Sequence, residues 1–139
     1  MKTVDSSGNR IVVDTFAWIE YFRGSPAGLK AKNFIDGNFE LFTPSIVIAE
    51  LSDKYRREHF SEKWEKERKA FIELKSTIIL LDSGIADDSG KIKNEKRVFL
   101  KGFGLADAMV LASAKNINGK ILTGDAHLIG EKSAIDLAK

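Results

Sequence analysis

Four acidic residues each interrupt an apolar stretch, where a charge is costly. Asp14 follows Ile11-Val12-Val13, Glu50 lies in Ile46-Val47-Ile48-Ala49-Glu50-Leu51, Asp107 in Leu105-Ala106-Asp107-Ala108-Met109-Val110, and Asp125 follows Ile121-Leu122-Thr123-Gly124. A carboxylate among apolar residues loses its hydration unless something compensates it. Singly, three have ordinary explanations: Asp14 as the cap of the next helix, Asp107 as a complement to a helix dipole, Asp125 as a turn residue. Glu50 lies beyond the capping turn of its helix and resists such an account. Taken together, the four point to hard divalent cations, which prefer carboxylate oxygens and leave room for waters and phosphate. A magnesium or manganese ion would remove the mutual repulsion and neutralise charge developing on a phosphodiester, so the expected chemistry is metal-assisted phosphodiester hydrolysis.

The neighbours of these acids are weighed next. Thr15 and Thr123 are hydroxyls placed either to orient a water or phosphate or to cap the adjacent helix and turn. His127 is tempting as a base or ligand, but a lone loop histidine is read more simply as a hydrogen-bonding surface residue. Among many scattered cations, Arg23 and Lys54 are the candidates to offset phosphate repulsion near the acids. Trp18 lies on an apolar helix face and reads as core, while Trp64 has the chemistry to stack on a base.

Something must carry the acids to one place. Short apolar runs at Arg10 to Val13, Glu40 to Phe42, Thr77 to Leu81, Lys120 to Leu122 and Ala134 to Leu137 predict strands. Helical patterns alternate with them over Thr15 to Phe22, Ala27 to Ile35, Glu62 to Leu74, Ile85 to Arg97 and Leu105 to Lys115. A further helix, running to about Glu58, is expected to start with Thr43 as N-cap and Pro44 in its first turn. In the segment 62–74, Trp64, Phe71 and Leu74 supply the apolar face. The segment 105–115 leaves almost no polar face and should be packed on several sides. Strands alternating with helices imply a parallel sheet covered on both faces, with ligands beyond the carboxyl ends of the strands where strand order reverses. Asp14 and Asp125 would both reach that edge.

The bulk properties agree with one soluble domain over residues 1–139, with 1–9 as a polar lead-in. The chain has 139 residues, 43% hydrophobic and 30% charged, enough to bury roughly two-thirds of its unfolded surface in one core. It has no cysteine, which excludes disulfides, thiolate metal sites and cysteine nucleophiles. Neither a secretory signal nor a membrane span is evident, so a cytoplasmic location is expected. A net charge of +2 is compatible with a phosphate-rich partner without demanding one.

Four blocks carry a specific resemblance: Ile11-Val12-Val13-Asp14-Thr15, then Thr43 to Leu51 (TPSIVIAEL), Leu105 to Ala114 (LADAMVLASA) and Ile121 to Leu128 (ILTGDAHL). In this order the chain resembles PIN-domain ribonucleases, and closely the VapC toxins of toxin–antitoxin pairs. The resemblance implies a three-layer α/β/α sandwich whose five-stranded parallel sheet has the order 3-2-1-4-5. It places the family's metal-binding and catalytic acids on Asp14, Glu50, Asp107 and Asp125, with Thr15 and Thr123 as supporting hydroxyls. It further implies a Mg2+- or Mn2+-dependent endoribonuclease leaving 5′-phosphate and 3′-hydroxyl ends. A homodimer and inhibition by a small antitoxin complete what the resemblance implies, while the RNA-backbone contacts expected of Arg23 and Lys54 are read from their charge. The lead-in before the first block is longer than usual, and the fifth strand is poorly marked by the short tail.

Two other functions compete. An aspartate-based phosphotransfer or receiver-like domain would want a second acid near Asp14, yet Asp14-Thr15-Phe16 lacks the Asp-x-Asp spacing. The pair Asp87-Asp88 is read as dipole partners at a later helix start. The other alternative is a catalytically inactive PIN-like scaffold binding RNA or protein, against which stand the four retained carboxylates.

Overall fold

The structure is a computed structural model that describes residues 7–139. Of the lead-in, Met1 to Ser6 lie outside the described residues, and Ser7–Asn9 form a short 3-10 turn. Five strands follow: β1 Arg10–Val13, β2 Glu40–Pro44, β3 Thr77–Ile79, β4 Lys120–Thr123 and β5 Ala134–Asp136. All pairings are parallel and the order is β3-β2-β1-β4-β5. Helices flank this sheet, giving the expected α/β/α sandwich: α1 Thr15–Arg23, α2 Pro26–Ile35, α3 Ser45–Arg57, α4 Ser61–Lys63, α5 Lys69–Lys75, α6 Ser83–Lys96 and α7 Leu105–Asn116.

The central strands are covered on both faces, so Ile11, Val12, Val13, Ile121 and Leu122 are at most 1% exposed. This is why they read as continuous apolar runs and not as an alternation. Val13 pairs with Leu122, which sets the ends of β1 and β4 side by side where the strand order reverses. Asp14 and Asp125 both leave the sheet there. The helix α7 packs on α6, on α3 and on β2 and β4, as its nearly unbroken apolar sequence required.

Five local expectations are corrected. Thr43 is not an N-cap, because β2 runs through Pro44 and α3 starts at Ser45 without a side-chain cap. The fully buried Thr43 hydroxyl instead accepts the Trp18 Nε1–H at 3.1 Å and bonds Ser76 Oγ at 2.7 Å; a buried indole N–H needs an acceptor, and this need overrides the local cap pattern. Asp87 and Asp88 are not at a helix start, since α6 begins earlier: Asp82 accepts the Ile85 N–H at 2.8 Å, and the pair lies further along, ion-paired with Lys91.

The helix expected over 62–74 carries a wide π turn at Trp64–Arg68, where the Lys69 N–H reaches the Trp64 carbonyl. The wider turn sends Trp64 into the core, 1% exposed and stacked on Tyr55 at 5.7 Å, so it is not available to stack on a base. Leu74 is correspondingly off the buried face, 87% exposed. β3 ends at Ile79, leaving Leu80 and Leu81 exposed. Among the described residues no helix is long and apolar enough to cross a membrane.

Candidate metal centre

Each acid is delivered by a different element. Asp14 caps α1: its Oδ1 accepts the Ala17 N–H at 2.8 Å while its backbone leaves β1. Asp125 sits in the loop after β4, where its N–H donates to Thr123 Oγ1 at 3.0 Å. Glu50 projects from the second turn of α3, and Asp107 from the first turn of α7, where its Oδ2 accepts the Gly104 N–H at 3.0 Å. The four line one open cleft of about 240 Å³, together with Thr15, Phe16 and Ile19. Phe16 reaches the cleft wall because residue 124 is glycine; a Cβ there would stand 2.3 Å from the phenyl ring.

The cleft is electrostatically uncomfortable without a counterion. Asp14 is 3% exposed, and burial, with further repulsion from Asp125 and Glu50, pushes its carboxyl up to about 7 against hydrogen bonds from Thr123 and Ala17. Burial likewise raises Glu50, opposed by its bond from Thr15 and reinforced by the charges of Asp107 and Asp125. Asp107 is raised by burial first, then by Asp125, while the Gly104 N–H and His127 act the other way. Every one of the four therefore feels at least one of the others. The donor set fits a divalent cation: converging hard oxygens whose ionised forms repel one another are what such an ion stabilises.

Both threonines touch the acids they were expected to support. Thr15 Oγ1 donates to Glu50 Oε1 at 2.6 Å. The buried Thr123 hydroxyl accepts the Asp125 N–H and bonds the Asp14 carboxylate. His127, expected to be an ordinary surface residue, is drawn into the cluster. One oxygen each of Asp107 and Asp125 and a ring nitrogen of His127 all lie within 4.8 Å of one another. The signal available in the sequence was its position two residues after Asp125 in the same loop.

A profile of the PIN domain matches residues 11–130. The chain belongs to the PIN domain family. Solved structures with the same fold include a toxin–antitoxin complex from Klebsiella pneumoniae, with 19% identity and a TM-score of 0.71 over 91% of this chain and 97% of that one. VapBC-1 from nontypeable Haemophilus influenzae gives 17% identity and a TM-score of 0.72, covering 94% and 99%. DNA-bound VapBC from Salmonella typhimurium gives 16% and 0.72, covering 92% and 98%. Comparison with curated protein sequences finds no match.

Beside the acidic cleft of this PIN domain runs a basic groove of about 420 Å³. Arg23 and Lys54 line it with Lys63, Arg68 and the exposed Phe60, and Ile19 belongs to both walls. Arg23 and Lys54 are held by Glu20 at 3.2 Å and Glu58 at 2.6 Å, exposed pairs worth little that a phosphate can replace. Lys63 and Arg68 were not singled out in the sequence, because a charge-dense surface helix does not reveal which of its cations face the site. The Arg68 guanidinium lies 4.4 Å from the Phe22 ring centroid, and its buried Nε has no hydrogen-bond partner.

Proposed function

We propose that this PIN domain is a Mg2+- or Mn2+-dependent endoribonuclease, the toxin of a type II toxin–antitoxin pair, acting in the cytoplasm as a homodimer restrained by a small antitoxin. The observation that carries the reading is the convergence of Asp14, Glu50, Asp107 and Asp125 in one open cleft bordered by a basic groove. The toxin–antitoxin complexes among its structural neighbours support the pairing with an antitoxin.

Asp14, Glu50, Asp107 and Asp125 would hold the ion, which when bound supplies Lewis acidity, polarising phosphate oxygens and making water more acidic. The chain supplies the positioning. Thr15 keeps the Glu50 carboxylate turned into the cleft, and Thr123 fixes Asp14 relative to Asp125. Arg23 and Lys54 hold the RNA backbone alongside, so that its charge is met before it reaches the acids. A phosphoacceptor role for Asp14 is disfavoured by its burial and by its caps from Ala17 and Thr123.

The test is cleavage of single-stranded RNA. Activity with Mg2+ or Mn2+ should vanish with chelator and in Asp107→Asn, whose circular dichroism stays that of the wild type, and the product ends should be 5′-phosphate and 3′-hydroxyl. Undiminished cleavage by the variant would refute the proposal.

A further inference from the structure

His127 has no part in the reading above. Its backbone N–H donates to Asp125 Oδ1 at 2.7 Å, and its ring Nδ1 lies 3.4 Å from that oxygen and 3.6 Å from Asp107 Oδ2. The other ring nitrogen, Nε2, lies 3.3 Å from the Lys101 carbonyl oxygen. A carbonyl can only accept, so this contact assigns the proton of a neutral imidazole to Nε2 and leaves the lone pair on Nδ1. That lone pair then faces two carboxylate oxygens. With the ring neutral, three acceptors face one another unpaired, and a metal ion between them would satisfy all three.

The ring is held in this attitude from behind. Phe103 is 3% exposed and stands edge-on to the imidazole, centroids 6.5 Å apart at 83°. Between Lys101 and Phe103, Gly102 has φ +81, and a Cβ there would come within 3.2 Å of Nε2; glycine lets the backbone turn and bring the Lys101 carbonyl to the ring. A histidine whose far nitrogen is bonded to a backbone carbonyl is the usual arrangement of a metal ligand, since that bond fixes both tautomer and orientation.

We infer that His127 Nδ1 is a nitrogen ligand beside Asp107 and Asp125, and that it biases the site toward transition-metal dications and away from Mg2+. The inference rests on the reading of the cleft as a metal centre and goes beyond its four acids. Carboxylates serve Mg2+ and Mn2+ alike, but an imidazole nitrogen adds affinity along the transition series and little for a hard ion that keeps its waters.

Mn2+ is the probe, bound to the whole chain and read by electron spin echo envelope modulation. The chain has two histidines, and the exposed His59 follows α3, so a nitrogen signal can be assigned by substitution. The wild type should show modulation from a directly bound 14N that persists in His59→Gln and disappears in His127→Gln. The excess of Mg2+ needed to displace half of the Mn2+ should fall in His127→Gln by at least about tenfold, the lower bound for losing even an outer-shell partner of a metal ligand. Mn2+ that binds the wild type without nitrogen modulation, or modulation that survives in His127→Gln, overturns the inference and leaves an all-oxygen nuclease site standing. Failure of the wild type to bind Mn2+ or Mg2+ at all overturns both readings.

Discussion

Thr15 Oγ1 donates to Glu50 Oε1 at 2.6 Å, tying the first residue of α1 to the cleft acid supplied by α3. The bond favours the ionised carboxylate, while burial and the charges of Asp107 and Asp125 favour the protonated one. Removing the hydroxyl tips that balance. In Thr15→Val the Glu50 carboxyl should move further up, so that metal binding must displace its proton at higher pH. The pH midpoint of metal-dependent cleavage then shifts upward, with the alkaline plateau retained, and Thr15→Ser restores the original profile. Loss of one hydrogen bond to a charged group costs about 1.5–3 kcal/mol, so the melting temperature in chelator serves as the companion measurement. An unchanged pH profile would show that Thr15 does not set the charge of Glu50.

Asp14 gives a prediction about stability with a definite sign. Its carboxyl is raised from 3.8 to about 7 in the folded protein, so between these values the native state holds a proton that the unfolded chain has released. Stability in chelator is therefore lost as pH rises through that window and levels off above it, an effect of up to about 4 kcal/mol in the limit of full linkage. Glu50 and Asp107, also raised, act in the same direction. Asp14→Asn keeps an oxygen for the Ala17 cap and removes the charge. It should melt higher than the wild type at pH 8 in chelator, melt no higher at pH 4, and gain less from added Mn2+. A variant less stable than the wild type at both pH values would mean that the negative charge of Asp14 is not a burden in the folded state.

These contrasts explain which parts of the molecule were legible in the sequence. Asp14, Glu50, Asp107 and Asp125 announce themselves because each interrupts an apolar run that a parallel sheet or packed helix requires. The alternation of these runs with helices implies a parallel sheet, whereas its order 3-2-1-4-5 comes only from the resemblance to PIN domains. Thr43 misleads because Thr-Pro before an apolar run looks the same whether the hydroxyl caps its own helix or accepts from Trp18, and that indole comes from a different element. The π turn at Trp64–Arg68 is invisible for a similar reason, since only the pocket beside Tyr55 rewards turning Trp64 inward. His127 reads as a surface residue in the sequence because what orients its ring, the Lys101 carbonyl, arrives from the α6–α7 connection, distant along the chain.

The basic groove should govern RNA affinity and not the chemical step. In an Asp107→Asn background, which binds without cutting, Arg23→Glu and Lys54→Glu should each weaken binding to a single-stranded RNA, with sequence context making little difference. Each lost phosphate contact should also flatten the dependence of log affinity on log salt by about 0.7 for single-stranded RNA. Arg23 is 69% exposed and ion-paired with Glu20 on the same helix, so its substitution should leave stability within about 0.5 kcal/mol. Fluorescence anisotropy across a salt series measures both quantities. Identical slopes for variant and parent would remove Arg23 and Lys54 from the RNA path.

Dimerisation has a candidate surface in the connection between α6 and α7. Val98 is 87% exposed and Phe99 72% exposed, with Leu105 at the start of α7 also open to solvent at 46%. Val98 and Phe99 are adjacent in the chain, and a contiguous apolar patch exposed on a surface is what a contact with another chain would cover. The same connection carries Lys101 and Phe103, which hold His127, so a partner seated there would border the metal site. The wild type should sediment as a dimer at micromolar concentration, and the double substitution Val98→Glu with Phe99→Glu as a monomer with an unchanged circular dichroism spectrum. Because neither residue belongs to the core, the variant should keep its melting temperature once the loss of association is allowed for. A wild type that remains monomeric at that concentration counts against the homodimer itself, whereas a double variant that still dimerises moves the interface elsewhere, with the exposed Leu74, Leu80 and Leu81 around β3 as the next surface to substitute.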